Sequence, residues 1–345
     1  MTEKSGKYRI RKINHAEHEN WDRFVSVHPD ATLFQTTAWG RIVESVFKRK
    51  FECLIILQRD NSIKGGLLYF PKNIPAFHTI PRAPLTAYQS LLIKPPTSEK
   101  ASSSSAVEHE LTNHILENLC NEYHYIDLTL VPGIHDTRPF TWHKFQAEPV
   151  YSYSFLITPY EQLSKQFNQS LRRKIKLSAK ENHKIRESED TDKLLKFISD
   201  SYHYHGIKPP VPTGKIGKLV RLCIRNNCGK LYYLIADDEP AAALFVLFDK
   251  NRLYALFSGI DLKFRNKQYT EFLHAAVLQL PEYQGKFFDF LGANTPDFEQ
   301  FKRSFGGELK QSFHVIYYKN MTSKLLIKLR ERQHLFSRRV FGAGK

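Results

Sequence analysis

Short apolar runs alternate along the chain with longer stretches in which apolar residues recur every three or four positions. The short runs predict β-strands and the longer stretches predict helices. The predicted strands are 51–57, 65–70, 125–130, 231–236, 241–248, 252–259, 287–291 and 313–318, and the predicted helices are 107–123, 160–182 and 270–280. Strands interspersed with helices indicate an α/β (α+β) fold rather than a helical bundle or a β-sandwich.

Two segments interrupt this pattern. Residues 95–106 combine prolines with a run of serines and predict a flexible loop inside the first half of the chain. Residues 208–217 contain three prolines and two glycines, which neither a helix nor a strand tolerates well. We therefore expect a second loop there.

The two halves of the chain repeat one order of segments. In each half an apolar strand, an acidic turn and a pair of small residues lead into a second strand. Later, a helix leads into an aromatic–apolar–Asp strand and then an aromatic-rich segment. The matching segments are 52–70 and 230–248, 125–128 and 287–290, and 140–148 and 301–308. Duplication of one unit explains this order, and chance similarity of short strands is the alternative.

A length of 345 residues suits two domains of about 150 residues each. Together with the repeat it predicts a first domain at 1–150, a second at 151–320 and a basic tail at 321–345. Four cysteines without a C-x-x-C pair are too few for a disulfide scaffold, so we expect buried thiols. The N-terminus is polar and no apolar stretch could span a bilayer, so we expect a cytoplasmic protein.

The chain is strongly basic, with 51 Lys and Arg against 35 Asp and Glu and a formal net charge of +16. Such an excess favours anionic partners, namely RNA, nucleotide phosphates or an anionic membrane surface. A basic protein that is merely soluble is the alternative. No G-x-S-x-G, P-loop, H-E-x-x-H or dinucleotide-binding fingerprint occurs in the sequence, which removes several enzyme classes.

Three motifs occur in an order that is similar to a known family. They are F-Q-T-T-A-W at 34–39, L-R-R-K-I followed by A-K at 171–180, and F-D-F at 288–290 followed by F-K-R-S-F-G-G at 301–307. On these residues the chain resembles the Fem peptidyltransferases and related acyltransferases of the GNAT superfamily. The resemblance implies two tandem GNAT-like domains, with mixed sheets flanked by helices, a cleft between or beside them and the donor site in the second.

The same resemblance implies transfer of an acyl or aminoacyl group to an amine, without a metal or a covalently bound cofactor. The co-substrate is then a phosphate-bearing donor, which is an acyl-CoA, an acyl carrier or an aminoacyl-tRNA. The sequence does not choose among them. tRNA is accordingly an expected partner and DNA is not. A GNAT-fold protein that has lost catalysis and binds RNA, an anionic lipid or a nucleotide ligand is the rival hypothesis.

Lys302 is the first candidate for chemistry. Its counterpart in the first half is Thr141-Trp142, so the positive charge is specific to the second half. A lysine there could stabilise an anionic phosphate or the oxyanion of the transition state. Arg303 beside it is a candidate substrate contact. A solvated lysine on a short helix is the alternative.

A basic helix supplies the second group of candidates. A period of 3.6 residues places Arg172, Lys176 and Lys180 on one stripe, which suits a phosphate backbone or a diphosphate. Arg173 can make a forked contact with phosphate. A solvated helix face is the alternative interpretation.

Two further clusters and the tail complete the candidates. Tyr202, Tyr204 and His205 could line the cleft, with His205 as a proton acceptor, although a helix end with aromatic packing is the alternative. The two histidines of this segment lack a third ligand at metal-site spacing. Arg265, Asn266 and Lys267 occupy the place of a glycine-rich pyrophosphate loop, but the glycines are missing, which puts ordinary acetyl-CoA binding in doubt. The tail predicts an amphipathic helix that lies on anionic lipid or packs on the body of the protein.

Overall fold

The computed structural model describes residues 7–74, 77–95, 101–204, 206, 209 and 211–340. Its strands are β1 (Tyr8–Lys12), β2 (Glu52–Gln58), β3 (Ile63–Tyr69), β4 (Lys72–Ile74), β5 (Phe77–Ile80), β6 (Leu91–Ile93), β7 (Tyr125–Thr129), β8 (Gln146–Leu156), β9 (His183–Ser188), β10 (Gly229–Ala236), β11 (Glu239–Phe248), β12 (Arg252–Ile260), β13 (Phe287–Asp289) and β14 (Glu308–Tyr318). Its helices are α1 (His18–Val27), α2 (Thr37–Phe47), α3 (Ala101–Glu122), α4 (Arg138–Trp142), α5 (Tyr160–Gln166), α6 (Gln169–Ser178), α7 (Asp192–Tyr204), α8 (Thr213–Arg225), α9 (Tyr269–Val277), α10 (Pro296–Arg303) and α11 (Met321–Val340). This arrangement confirms the predicted mixed α/β class.

The first of two compact units comprises the described residues of 1–37, 49–149 and 313–345. An antiparallel sheet in it has the order β1-β2-β3-β6, and a second set of strands has the order β4-β5-β7-β14. In that second set, β5 is parallel to β7, whereas β7 and β14 are antiparallel. Apolar side chains of α3, such as Ile115 and Leu119, pack with strand residues such as Leu54 and Ile126 to form the core.

The second unit comprises residues 38–48 and 150–312. Its strands have the order β8-β13-β12-β11-β10-β9, and all neighbours are antiparallel except β12 and β13, which are parallel. The core is rich in aromatic residues and includes Phe288, Phe290 and Phe305 together with residues of α6 and α9. This core surrounds the end of β13, where the candidate site lies.

Two segments lie in a different compact unit from the one in which a division at 150 and 320 would place them. Residues 313–318 of β14 belong to the first unit, because β14 pairs with β7 there. Helix α2 belongs to the second unit, where Lys218 Nζ donates to Ser45 O at 2.9 Å and the Lys215 ammonium lies over the Phe47 ring. Long-range pairing of this kind leaves no trace in the local pattern of the sequence.

The predicted helix at 160–182 is wrong as one element, because the chain forms α5 and α6 with a break between them. Phe167 is extended and buried, and its ring packs edge-on against Phe305 at 5.3 Å. Asn168 then caps α6 by accepting a hydrogen bond from Leu171 N at 2.8 Å. Burial of Phe167 and the side-chain cap of Asn168 therefore stabilise a break between the two helices.

Both predicted loops are shorter than expected. The serine run of 95–106 is helical from Ala101 onward, within α3, and residues 96–100 lie outside the described residues. In the segment 208–217, α8 begins at Thr213 directly after Pro212, so both glycines are helical. A Cβ on Gly217 would come within 2.9 Å of the Leu195 side chain. Glycine therefore permits close packing of α8 on α7.

The motif at 34–39 has a structural explanation. The side chain of Gln35 accepts a hydrogen bond from Thr32 N at 2.8 Å and donates one to Tyr88 O at 2.9 Å. Trp21 Nε1 donates to the carbonyl of Gln35 at 2.8 Å. Gln35 is fully buried, so these bonds hold the chain where it enters α2.

The remaining predictions concern thiols and membranes. All four cysteines are free, and Cys53, Cys223 and Cys228 are buried as expected. No helix within the described part of the chain is both long and apolar enough to cross a bilayer. Those residues also contain no group of three or more His, Cys, Asp or Glu side chains that could hold a metal ion.

Candidate active site

The central feature of the second unit is the point where β12 stops pairing with β13, which we call the opening between the two strands. The two strands pair only from Arg252–Phe287 to Tyr254–Asp289, although β12 continues to Ile260. Leu256 has no partner in the register between β11 and β12, which marks a β-bulge at the point where the pairing with β13 has ended. A bulge bends a strand and increases its twist, so β12 turns away from the line of β13, which itself ends at Asp289.

The divergence leaves backbone N–H groups along the edge of β12. Asp261 N donates to Ala241 O at 2.9 Å and so points towards β11. Because amide directions alternate along an antiparallel strand, the amides of Ser258 and Ile260 point to the other side, where β12 pairs with no strand of the described chain. Two such donors on one edge can bind the carbonyl oxygen of an acyl group and stabilise an oxyanion.

Helix α7 closes the face of β12 next to these amides. A Cβ on Gly259 would meet the Cβ of Phe197 at 2.8 Å. The absence of a side chain at Gly259 therefore allows α7 to pack directly on the strand. This close packing fixes the position of the two amides on either side of the glycine.

Lys302 lies at the head of the opening. Beyond the last β12–β13 pair the chain makes a left-handed turn, with φ of 53° at Leu291 and 85° at Gly292. The turn directs three carbonyls at Lys302 Nζ, those of Phe290 at 2.8 Å, Leu291 at 3.3 Å and Gly292. The Lys302 ammonium thus has three carbonyl partners and is not freely solvated.

The surroundings of Lys302 change its protonation. Burial lowers the pKa of Lys302 to about 8, and the nearby Asp289 carboxylate opposes that shift. Asp289 itself is buried and accepts hydrogen bonds from the Ser152 hydroxyl and from Leu291 N. A positive charge whose pKa is lowered to about 8 therefore lies where the two strands separate.

His274 is a buried neighbour that sequence reasoning missed. Its Nδ1 donates to Thr270 O at 2.8 Å, and its ring packs against Phe301 and Phe305. Burial lowers the pKa of His274 to about 4, so the imidazole is neutral near pH 7. The apolar sequence around it reads as an ordinary core helix, which gives no signal for this position.

The basic stripe on α6 is exposed. Leu171, Ile175 and Ser178 face the core, whereas the predicted phosphate-binding side chains point to solvent. These exposed residues are Arg172, Arg173, Lys176 and Lys180, and among the described residues they make no side-chain hydrogen bond or ion pair. Lys174, in contrast, binds Glu271 at 2.7 Å and joins α6 to α9. The charge of the stripe is therefore available to a partner.

The predicted pyrophosphate segment before α9 is only partly available. Lys267 binds Glu181 at 2.9 Å, and the Tyr269 hydroxyl donates to the same carboxylate. Both hydrogen bonds lower the pKa of Glu181, that from Tyr269 most strongly, so Glu181 is ionised. Arg265 instead lies over the ring of Tyr204 at 5.6 Å. The glycines that would allow phosphate to approach the backbone are absent.

The structure places the other predicted residues as follows. Tyr204 is exposed at the end of α7, whereas Tyr202 is half-buried and burial raises its pKa. Asn266 lies between Arg265 and Lys267, and its carbonyl accepts a hydrogen bond from the Gln268 side chain at 3.2 Å. Arg303 forms a surface ion pair with Glu299 at 2.7 Å. His205 lies outside the described residues.

Comparison with known proteins agrees with this geometry. No curated protein sequence matches the chain. The family model of the acetyltransferase (GNAT) domain matches residues 165–303, which include α6, the edge of β12, the left-handed turn and Lys302.

Solved structures match over nearly the whole chain at low identity. FemX is 11% identical with a TM-score of 0.64, covering 88% of this chain and 96% of FemX. L-PGS from Bacillus licheniformis is 9% identical with a TM-score of 0.51, covering 92% of this chain and 97% of that one. A tandem GNAT protein from the clavulanic acid biosynthesis pathway is 9% identical with a TM-score of 0.50, covering 91% and 99%.

These matches confirm the predicted GNAT fold. At such identities the structural matches establish the fold alone, whereas the family model identifies the segment that contains the opening between β12 and β13. Residues 165–303 therefore match the family model of the acetyltransferase (GNAT) domain, within a chain that shares its fold with FemX and a tandem GNAT protein.

Proposed function

We propose that this chain transfers an acyl or aminoacyl group from a phosphate-bearing donor to an amine, and that aminoacyl-tRNA is the donor. The observation that carries the proposal is the opening between β12 and β13, with the amides of Ser258 and Ile260 on one side and Lys302 at its head. The fold of a GNAT acyltransferase domain supplies the reaction class. We place the reaction in the cytoplasm, where aminoacyl-tRNA is available.

The proposed reaction follows ordinary acyl transfer. The nitrogen of the acceptor amine attacks the carbonyl carbon of the donor ester, and the amides of Ser258 and Ile260 stabilise the oxyanion. The bond between that carbon and the ribose oxygen then breaks. The proton lost by the amine ends on the ribose hydroxyl. A thioester donor would react in the same way, with a thiol as the leaving group.

Lys302 is proposed to act as a positioning residue. Its ammonium is bound to the carbonyls of 290–292 and fixes the left-handed turn at the head of the opening. Its positive charge also contributes to the field at the carbonyl carbon, because burial reduces screening by water. Direct contact with a substrate oxygen would require Lys302 to release one of the three carbonyls.

The choice of aminoacyl-tRNA rests on the surface around α9. The pyrophosphate of a CoA thioester needs glycines for close approach to the backbone, and here Lys267 is bound to Glu181. The exposed cations of α6 continue past its end at Ser178 to Lys180, next to Glu181, which binds Lys267 just before α9. RNA phosphates suit such a row of unpaired cations.

A transfer assay tests both parts of the proposal. The full chain is incubated with tRNA charged with radiolabelled amino acids, or with labelled acetyl-CoA, in the presence of peptides that carry free amines. We expect label to move from tRNA to peptide and not from acetyl-CoA. Transfer from acetyl-CoA alone would overturn the choice of donor. RNA binding without any transfer would favour the rival hypothesis of a binding protein.

A further inference from the structure

Helix α11 attaches to the first unit through one narrow face. Asn320 caps its start by accepting a hydrogen bond from Ser323 N at 2.8 Å. Ser323 and Ile327, four residues apart, are the buried positions in the stretch 321–330. The rest of this stretch is available to solvent except for Lys324, which is partly covered and lies over the ring of Tyr318.

The opposite face of α11 exposes large apolar side chains. Met321, Leu325 and Leu329 are 78%, 60% and 46% exposed, and their spacing of four residues makes them one stripe. Leu326 lies beside this stripe and is 45% exposed. At 100° per residue, the stripe points almost directly away from the buried face. Contiguous exposed leucines on a soluble surface indicate a contact with an apolar phase or partner.

Cations border the apolar stripe along one side. Helical geometry places Lys324 and Lys328 along this flank, whereas Arg330 lies between Leu326 and the buried face. Residues 321–330 contain no Asp or Glu, and the whole segment 321–345 contains seven Lys and Arg against one Glu. An apolar stripe bordered by cations is complementary to an anionic bilayer, in which acyl chains lie beneath phosphate headgroups.

We propose that α11 docks the protein on an anionic membrane surface. The helix would lie in the plane of the interface, with the leucines at the depth of the acyl chains and the basic side chains among the headgroups. RNA could neutralise the cations, but it offers no apolar layer for the leucines. A second copy of α11 would bring like charges together. The proposal is independent of the transfer reaction, and its test does not use activity.

Vesicle co-sedimentation of the full chain tests the proposal. We expect the protein to sediment with vesicles of equimolar phosphatidylglycerol and phosphatidylcholine and to stay in solution with phosphatidylcholine alone. The double variant Leu325→Ser, Leu329→Ser should bind the anionic vesicles about tenfold more weakly, because it removes apolar surface. Leu309→Ser removes a leucine of similar exposure (49%) elsewhere and should bind like the wild type. Lys324→Glu with Lys328→Glu should lose binding as well.

Several results would overturn membrane docking. They are equal binding of the wild type to neutral vesicles, no vesicle binding at all, and undiminished binding by the leucine variant. A dimer in light scattering that the leucine changes dissociate would instead assign the stripe to a second copy. Because Leu325 and Leu329 are exposed, the double serine variant should fold like the wild type. Thermal unfolding verifies this.

Discussion

Two aspartates hold matching places in the two units and differ in their surroundings. Asp127 lies in β7 and Asp289 in β13, and both are buried. In the first unit the carboxylate contacts cationic and ring partners: Arg82 Nε at 3.1 Å, His314 Nε2 at 2.7 Å and the Tyr125 hydroxyl at 2.9 Å. In the second unit the carboxylate accepts from the neutral Ser152 and Leu291 N, and the cation Lys302 is turned to three carbonyls.

Under the proposed function, the matching strand serves structure in one unit and chemistry in the other. The Arg82 guanidinium is bound to Asp127, so the charge of the first cluster is balanced within it. The Lys302 ammonium has dipoles rather than a carboxylate as direct partners, and burial lowers its pKa to about 8. In the second unit the positive charge of Lys302 therefore faces backbone carbonyls next to the opening, whereas in the first unit the charge of Arg82 forms an ion pair with Asp127.

The largest expected effect comes from removing that charge. Lys302→Met should reduce transfer by about 10²–10³-fold, because the turn at 290–292 loses its anchor and the opening loses its positive charge. Arg82→Met, the matched change in the first unit, should leave transfer within a few-fold of the wild type. Rates with labelled aminoacyl-tRNA measure both. Equal losses in the two variants would show that the two clusters do not differ in function.

For stability we expect the opposite order, with a larger loss from a change in the first unit than from the matching change in the second. Asp127→Asn removes the charge that pairs with Arg82 and His314 and should destabilise the protein by about 2 kcal/mol. Asp289→Asn keeps an acceptor oxygen for Ser152 and Leu291 N and should cost less than about 1 kcal/mol. Denaturant unfolding compares the two variants. A larger loss in Asp289→Asn would contradict the account of the two clusters.

The pH dependence of transfer sharpens the comparison further. Lys302 is charged below its pKa of about 8 and loses the proton as pH rises through that value. Transfer should therefore fall on the alkaline side with a midpoint near pH 8. Arginine stays charged, so Lys302→Arg should move the alkaline fall in transfer to higher pH. Asp289→Asn removes the carboxylate that raises the pKa of Lys302, so it should move this fall to lower pH. If neither variant shifts the alkaline fall in transfer, that fall reflects the titration of another group.

The smallest expected effect concerns the donor. Arg173→Ala should weaken tRNA binding several-fold and reduce the slope of log K against log salt by about 1, because one phosphate contact is lost. Arg225 is exposed on α8 and unpaired among the described residues, so Arg225→Ala is the matched control. Fluorescence anisotropy over a salt series measures both slopes. Equal slopes in the two variants would show that the exposed face of α6 does not bind RNA.

Parts of this site could be predicted from sequence. Comparison of the halves identified Lys302, because the first half has Thr141-Trp142 at that place, and the 3.6-residue period identified the exposed stripe of α6. The break at Phe167 was not predicted, since Leu163, Phe167 and Leu171 keep the apolar period across it. A periodic pattern reports which side chains are buried and not whether the backbone between them is continuous.

Other parts depend on the backbone and leave no local signal. The carbonyls around Lys302 converge because Leu291, a non-glycine residue, adopts a positive φ. The amides of Ser258 and Ile260 are donors because β12 diverges from β13, and that divergence is set by pairing between distant strands. The place of β14 in the first unit has the same origin. Residue types alone therefore indicate the charges of the site but not its geometry.

In the proposed reaction the opening between β12 and β13 receives the donor carbonyl. A crystal structure with a short RNA that carries an amide-linked amino acid at its 3′ end tests this most directly. We expect the carbonyl oxygen about 3 Å from the amides of Ser258 and Ile260, next to the Tyr254–Asp289 pair. A donor carbonyl bound elsewhere, such as beside Asp127 in the first unit, would contradict it.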